Sequence, residues 1–513
     1  MSYQKSVVFL LEIIKRLMRC FRIIVLLFLS VVPCSGKNIV RDGIRYKITS
    51  DTTVSVAEYK NKSNASKKSV VIPSYITIRG IRYSVTSIEP LAFCGCHFIE
   101  SLELPSTLET IREKTVILCS SLSTITIPSG VSDIADGAIY GNAMLNEIIV
   151  DTLNRFFDSR FDCNAIIRKK DNTLVTGCNN TTIPESVTCI ADGAFHDCSG
   201  LGYVCIPSGV EVIGDNAFEG CNNLKTVIFS NGIRKIGFSS FENCIGIESI
   251  SIPDGILEIG GRAFHGCSSL INVTIPKSVE YIGDEVFSGC SSLSSVYIDP
   301  DNKAYSSYGL SNIIVDSAEK RLLQGCATSI LPDDIEEIGT GAFVSCHKLE
   351  YIRLPDNVRY ILDDAFHNCT GLTGIHIPNS IRDLNSCAFM NCSRLGFIDL
   401  PDNLERIWVD AFNGCKSLKE ISIPDKVWCI DSRAFMNCEN LEYISIPESV
   451  TAIYDYSFWG CNNLSSISIL CSIPPGISKH TFSSYGTLHV KKGLLKVYKK
   501  HKYWRNFSIV DDL

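Results

Sequence analysis

Residues 201–223 read LGYVCIPSGVEVIGDNAFEGCNN, and residues 224–246 restate the phrase as LKTVIFSNGIRKIGFSSFENCIG. In the first copy Val204-Cys205-Ile206 alternates with period two, as a strand with one buried face does. Pro207 ends it, because proline donates no ladder hydrogen bond. Val210-x-x-Ile213-Gly214 predicts a second short extended piece followed by a turn. Ala217-Phe218-x-x-Cys221 predicts a single helical or 3₁₀ turn.

Working outward, cysteines stand at 96, 119, 198, 221, 244, 267, 290, 346, 369, 392, 415, 438 and 461, with most steps equal to 23. Asn142 holds the grid position after Cys119, and the steps 142 to 198 and 290 to 346 are each 56, one period of 23 plus 33. Such a register marks an internal repeat. One unit buries about eight apolar side chains, worth ~12–24 kcal/mol. Ordering its backbone costs about 1–2 kcal/mol per residue, so a lone unit cannot fold and stacked units must cover one another.

The two insertions, about 151–183 and 299–331, are copies offset by 148. Asp151, Asn154 and Phe157 match Asp299, Asn302 and Tyr305, and Gly177-Cys178 matches Gly325-Cys326. Each predicts a longer coil with a β-hairpin turning at Asp171-Asn172 or Ala318–Lys320. Such a hairpin is either an enlarged structural coil or a protrusion that contacts a ligand.

The unit L-x-x-I-x-I-P-x-x-V-x-x-I-G-x-x-A-F-x-G-C resembles the BspA-like, Treponema-type leucine-rich repeat of surface proteins. Local departures are Val116 and Ile139 for the Phe, Ser230 and Leu470 for the Pro, and Asn142 for the Cys. The resemblance implies an α/β fold, a right-handed leucine-rich-repeat solenoid of about fourteen 23-residue coils spanning 89–485 with two longer insert coils. It implies adhesion or macromolecular binding without catalysis. A stack has two ends to cover. GIRYKIT, TVSV, SVVIP and GIRYSVT predict a β-rich N-terminal cap within 37–88. GTLHV, GLLKVYKKHKYWRNF and SIV predict a β-α-β C-terminal cap within 486–513, the middle piece an amphipathic helix. Lys491, Lys492, Lys496, Lys499, Lys500, Lys502 and Arg505 make that cap basic. They read as a solvated helix face, with a nucleic-acid or acidic-surface patch as the alternative.

Composition narrows the class. The 513 residues are 45% hydrophobic and 20% charged, ordinary for a globular chain, and the net charge of -7 provides no overall field for holding nucleic acid. Residues 23–33, IIVLLFLSVVP, follow Arg19 and Arg22 and precede Cys34-Ser35-Gly36. This is the pattern of a signal peptide over 1–36, with Met18 as a possible start. It predicts a secreted or cell-surface protein. Pro33 disfavours lipidation of Cys34.

The 24 cysteines of an exported chain suggest disulfides. Equivalent positions one coil apart fall within bridging distance, but their side chains point the same way. Buried thiols acting as small apolar fillers are therefore expected, with Asn142 packing or bonding to the turn in the same place. A Cys163–Cys178 bridge across the first hairpin is the minor alternative. Cys94-Gly95-Cys96 has no second pair at zinc spacing, and His196, His265 and His367 fall in different coils and are expected to face solvent. No catalytic motif stands out, so neither an enzyme nor a cofactor is expected.

The remaining candidate is the outward face of the first strand, where residues flanking the central apolar position point away from the core. Its columns contain Tyr203, Tyr297, Tyr351, Arg353, His376, Phe397, Asp399, Glu420 and Tyr443 among mostly Ser, Thr and Gly. Aromatic residues with Arg and acids on a rigid strip suit an extracellular protein or glycan partner. The plain alternative is that Tyr and Phe simply favour strands.

Overall fold

The computed structural model describes residues 39–61, 66, 68–309 and 311–513. The export segment expected at 1–36, with Cys20 and Cys34, lies outside the described residues. The chain winds as a right-handed β-solenoid of about 18 turns. The fourteen grid coils are joined by the two insert coils and by terminal strands that continue the same ladders. Thr487–Val490 and Ser508–Val510 stack in parallel after Ser466–Ile469.

Both expected strands form. Tyr203–Ile206 pairs in parallel with Thr226–Phe229, Tyr203 opposite Thr226. The second piece builds its own ladder through Cys189–Ile190, Val212–Ile213, Lys235–Ile236, Glu258–Ile259 and Tyr281–Ile282. At the third corner the expected helical turn is absent. Asn216 (φ 58) and Gly220 (φ 74) are left-handed. The Asn216, Phe218 and Gly220 N–H groups donate to Phe238, Ser240 and Glu242 carbonyls of the next coil at 2.8, 2.7 and 2.8 Å. Lateral bonds thus replace the i to i−4 bonds of a helix. Among the described residues the one α-helix is Leu495–Lys500, so the α/β expectation gives way to an almost entirely β fold. Where Val116 and Ile139 replace the Phe, the corner becomes a short parallel pair, Val116–Ile117 with Ile139–Tyr140. Their β-branched side chains fit a strand better than a tight turn.

Inside the corner two columns run along the axis. Phe195, Phe218, Phe241, Phe264 and Phe287 stack with centroids 4.7–5.5 Å apart. Phe343 to Phe482 form a second stack at 5.1–5.6 Å. Beside them the grid cysteines are buried free thiols. Cys221, Cys244 and Cys392 Sγ donate to the Phe195, Phe218 and Phe366 carbonyls of the preceding coil, each at 3.1 Å. Asn142 substitutes in kind, its Nδ2 donating to the Val116 carbonyl at 3.0 Å and its Oδ1 accepting from the Cys119 N–H at 2.9 Å. Cys163 and Cys178 are likewise buried free thiols, with no bridge between them.

The insertions contain the expected hairpins, Ile166–Arg168 with Thr173–Thr176 and Ile314–Asp316 with Arg321–Gln324. They do not protrude. Ile166 and Val175 join one apolar core, spanning Ile44 to Cys178, while Ile167 and Leu174 join the next. Ile314 and Leu323 close that second core, and Ile313, Val315 and Leu322 open the third, which runs to Phe507. Each hairpin is therefore a wall buried on both faces. Gly177 and Gly325 are needed here because a side chain at either would run into the Phe195 or Phe343 ring. Asn154 and Asn302 anchor the walls alike. Asn154 Nδ2 donates to the Pro128 and Val131 carbonyls at 2.8 and 2.9 Å, and its Oδ1 accepts from the Phe156 and Phe157 N–H groups. Asn302 repeats the set with Pro276, Val279, Ala304 and Tyr305.

At the C-terminal end the amphipathic stretch is shorter than expected. Helix Leu495–Lys500 stops at His501 (ψ 138), and a 3₁₀ turn covers Trp504–Asn506. The break lets Trp504 Nε1 reach the Pro475 carbonyl at 3.0 Å, while Tyr498 Oη donates to the Cys471 carbonyl at 2.7 Å.

Phe389→Ala removes a ring lying 5.3 Å from Phe366 and 5.6 Å from Phe412. It is expected to destabilise the third core by about 3–5 kcal/mol. Amide hydrogen exchange should accelerate across 313–507 and stay unchanged across 44–150. Burial pushes the Cys267 thiol up to about 12 and raises Cys392 well above its ordinary value. Among the described cysteines, iodoacetamide on the native protein should therefore label exposed Cys205 well before any grid thiol, as read by peptide mass spectrometry.

Candidate binding surfaces

The parallel register sets the outward side chains in columns. Gly374–His376 pairs with Phe397–Asp399, and Glu420–Ser422 pairs with Tyr443–Ser445. One column, stepping by 23, runs Tyr351, Gly374, Phe397, Glu420, Tyr443. Its rings occur on alternate coils, two strand spacings or ~9.6 Å apart. Tyr351 is 65% and Phe397 62% exposed. A side chain at Gly374 would meet the Phe397 ring at 3.6 Å, so this glycine leaves one flank of the ring open. The second column holds Arg353, His376 and Asp399. His376 Nδ1 lies 2.8 Å from Asp399 Oδ2, and Arg353 Nη1 donates to Asp333 Oδ1 at 2.8 Å. Seven of the nine residues singled out from sequence thus fall on five consecutive coils, five of them on strands of two adjoining short sheets and Tyr351 and Arg353 on the extended segment before them. Tyr203 and Tyr297 stand apart from these coils, separated from each other by Thr226, Ser249 and Asn272 on the intervening strands.

Sequence reasoning missed a second surface, on the other ladder. Arg406 lies over the Trp408 ring at 3.7 Å and within 5.4 Å of the Trp428 ring. Its guanidinium donates twice to Asp431 Oδ2, at 2.6 and 3.0 Å, and Trp408 Nε1 donates to Asp383 Oδ1 at 3.1 Å. The available signal was tryptophan scarcity. The chain has four, and Trp408 occupies the position at which the reference unit has Gly214.

The three histidines before grid cysteines are half-buried, contrary to the solvent-facing expectation, because the corner folds over them. Burial opposes a charge on His196. However, Asp197 at 3.1 Å and Glu219 at 3.5 Å outweigh it and push the pKa up to about 9. The Tyr140 ring meets the imidazole edge-on at 4.8 Å. His265 is held below its usual range by burial and by Arg262, which pairs with Glu242 and Glu285 at 2.6 Å each. His367 pairs with Asp364 at 3.0 Å. Among the described residues no group of three His, Cys, Asp or Glu side chains is placed to share a metal ion, and no helix is long and apolar enough to cross a membrane. At the C-terminal end Lys492, Lys496, Lys499, Lys500, Lys502 and Arg505 are exposed, while Lys491 pairs with Glu448 at 2.7 Å.

The model of the BspA type leucine rich repeat region (6 copies) matches residues 74–178, 173–294, 324–407 and 392–492. A leucine rich cell surface protein from Faecalibacterium prausnitzii is 24% identical, and the match covers 89% of this chain and all (100%) of that one at a TM-score of 0.50. A leucine-rich repeat protein from Bacteroides ovatus is 26% identical over 88% of this chain and 100% of that one, at a TM-score of 0.41. The pneumococcal vaccine antigen PcpA is 20% identical over 93% and 99%, at 0.46. No curated protein matches the chain.

The His196 charge gives a pH dependence. Its folded pKa lies above the ordinary 6.5, so the stabilisation is fully present below pH 6.5 and is lost as pH rises through about 9. With solvent screening at Asp197, the loss is expected to be about 2 kcal/mol. Urea unfolding at pH 6 and pH 9.5 should show it in the wild type, with a clearly smaller difference in His196→Gln.

Proposed function

The chain belongs to the BspA-type leucine-rich repeat family, and on that premise we propose that it is an exported, surface-associated protein that binds an extracellular protein or glycan without catalysis. Residues 1–36 serve as the export signal, 37–88 and 486–513 close the two ends, and 89–485 carry the binding face. A protein with the same fold bears the description of a cell surface protein, which supports the location.

One observation carries the binding reading. Tyr351, Arg353, His376, Phe397, Asp399, Glu420 and Tyr443 occupy outward positions that the fold leaves free, while the same columns elsewhere carry mostly Ser and Thr. Aromatic and Arg side chains on a pre-ordered sheet lose little entropy when they bind. The core does not require them, so their presence is unexplained by folding.

A microarray of glycans and extracellular-matrix proteins tests the reading. Wild-type protein should give a saturable hit. The combined replacement Tyr351→Ala, Arg353→Ala, Phe397→Ala and Tyr443→Ala should weaken that hit at least tenfold with thermal unfolding unchanged. An array without hits would favour a spacer role, and undiminished binding by the variant would move the site off this face.

A further inference from the structure

The geometry points to a second binding site, a pocket for an anionic sugar (a uronate or a sulfated residue) formed by the first insertion and independent of the strand face. At the edge of the first insertion, the Ser132–Asp133 segment, Arg155–Phe156 and the hairpin from Arg168 to Asp171 line an open cavity of about 560 Å³. This is within the size range of small-ligand sites.

The second insertion serves as an internal reference. It shares the wall, the asparagine anchor and the hairpin, so whatever the frame requires should appear in both copies. At positions offset by 148, Arg155, Phe156, Lys169 and Lys170 correspond to Lys303, Ala304, Ser317 and Ala318. The related cavity beside Lys303 is only about 350 Å³. An aromatic ring and two lysines are therefore additions to the first copy that the architecture does not need. Phe156 is 49% exposed and lines the cavity.

The charges are arranged for an anion. Arg168 is compensated by Asp136 and Asp171, each at 3.1 Å. Among the described residues, Arg155 and Lys170 have no side-chain partner, and Lys169 donates only to the neutral Asn154 carbonyl at 2.7 Å. Three cations thus face the cavity against the one free carboxylate of Asp133. A bare inorganic anion would leave Phe156 idle and meet Asp133 unfavourably. A sugar acid uses every group: the cations bind its carboxylate or sulfate, the ring covers its apolar face, and Asp133 accepts from a hydroxyl.

The test uses a heparin-derived tetrasaccharide, titrated calorimetrically into the full chain at low salt, with a neutral tetrasaccharide and sodium sulfate as separate arms. The variant Phe156→Ala, Lys169→Ser, Lys170→Ala carries what the second insertion already tolerates, so it should fold, as circular dichroism will check. The wild type should bind the sulfated sugar at least tenfold more tightly than either control, and the variant should lose at least tenfold. The Tyr351, Arg353, Phe397 and Tyr443 alanine variant should bind it normally, which separates this site from the strand face. Absence of wild-type binding, equal affinity for sulfate or neutral sugar, or loss confined to the strand-face variant would overturn the proposal.

Discussion

Everything in this structure depends on backbone N–H groups donated sideways. A corner such as 216–220 satisfies alternate donors, those of Asn216, Phe218 and Gly220, on the next coil. A coil without its neighbour would therefore leave those groups to water and expose its apolar face at the same time. The same constraint explains the cysteines. A small side chain with a weak donor fits beside the phenylalanine stack and reaches a carbonyl of the preceding coil. Asn142 can take the place because it supplies the same donor.

The stack is interrupted twice, and the interruptions are built rather than tolerated. Each hairpin uses the two faces of a strand pair to close one core and open the next, and a glycine stands where the following phenylalanine ring must lie. In a linear array such walls separate neighbouring cores, so local damage should spread through one core before reaching another.

Surface chemistry is decoupled from this frame. Outward columns carry no packing duty, which frees them to differ from coil to coil. The candidate strip was largely legible because period two along a strand and period 23 along the chain together fix which side chains share a column. Tyr203 and Tyr297 also obey both periods, falling in the columns of Tyr351 and Arg353, but lie on the other side of the second insertion. The Arg406, Trp408 and Trp428 group was not legible, since it lies on the less regular second ladder, where no alternation marks the outward side.

Sequence alone determined the period, both strands of the unit, the buried thiols and the twin hairpins. Each of these is a local pattern repeated often enough to outvote its exceptions. Tertiary structure decided three matters. It replaced the anticipated helical turn by a corner in which every second donor bonds to the neighbouring coil, a partner that exists only once coils are stacked. It buried hairpins that composition left open as protrusions, because their two apolar faces need two different cores. It also brought Asp133, Arg155 and Lys170 to one cavity, because stacking places beside each other residues that the chain holds far apart.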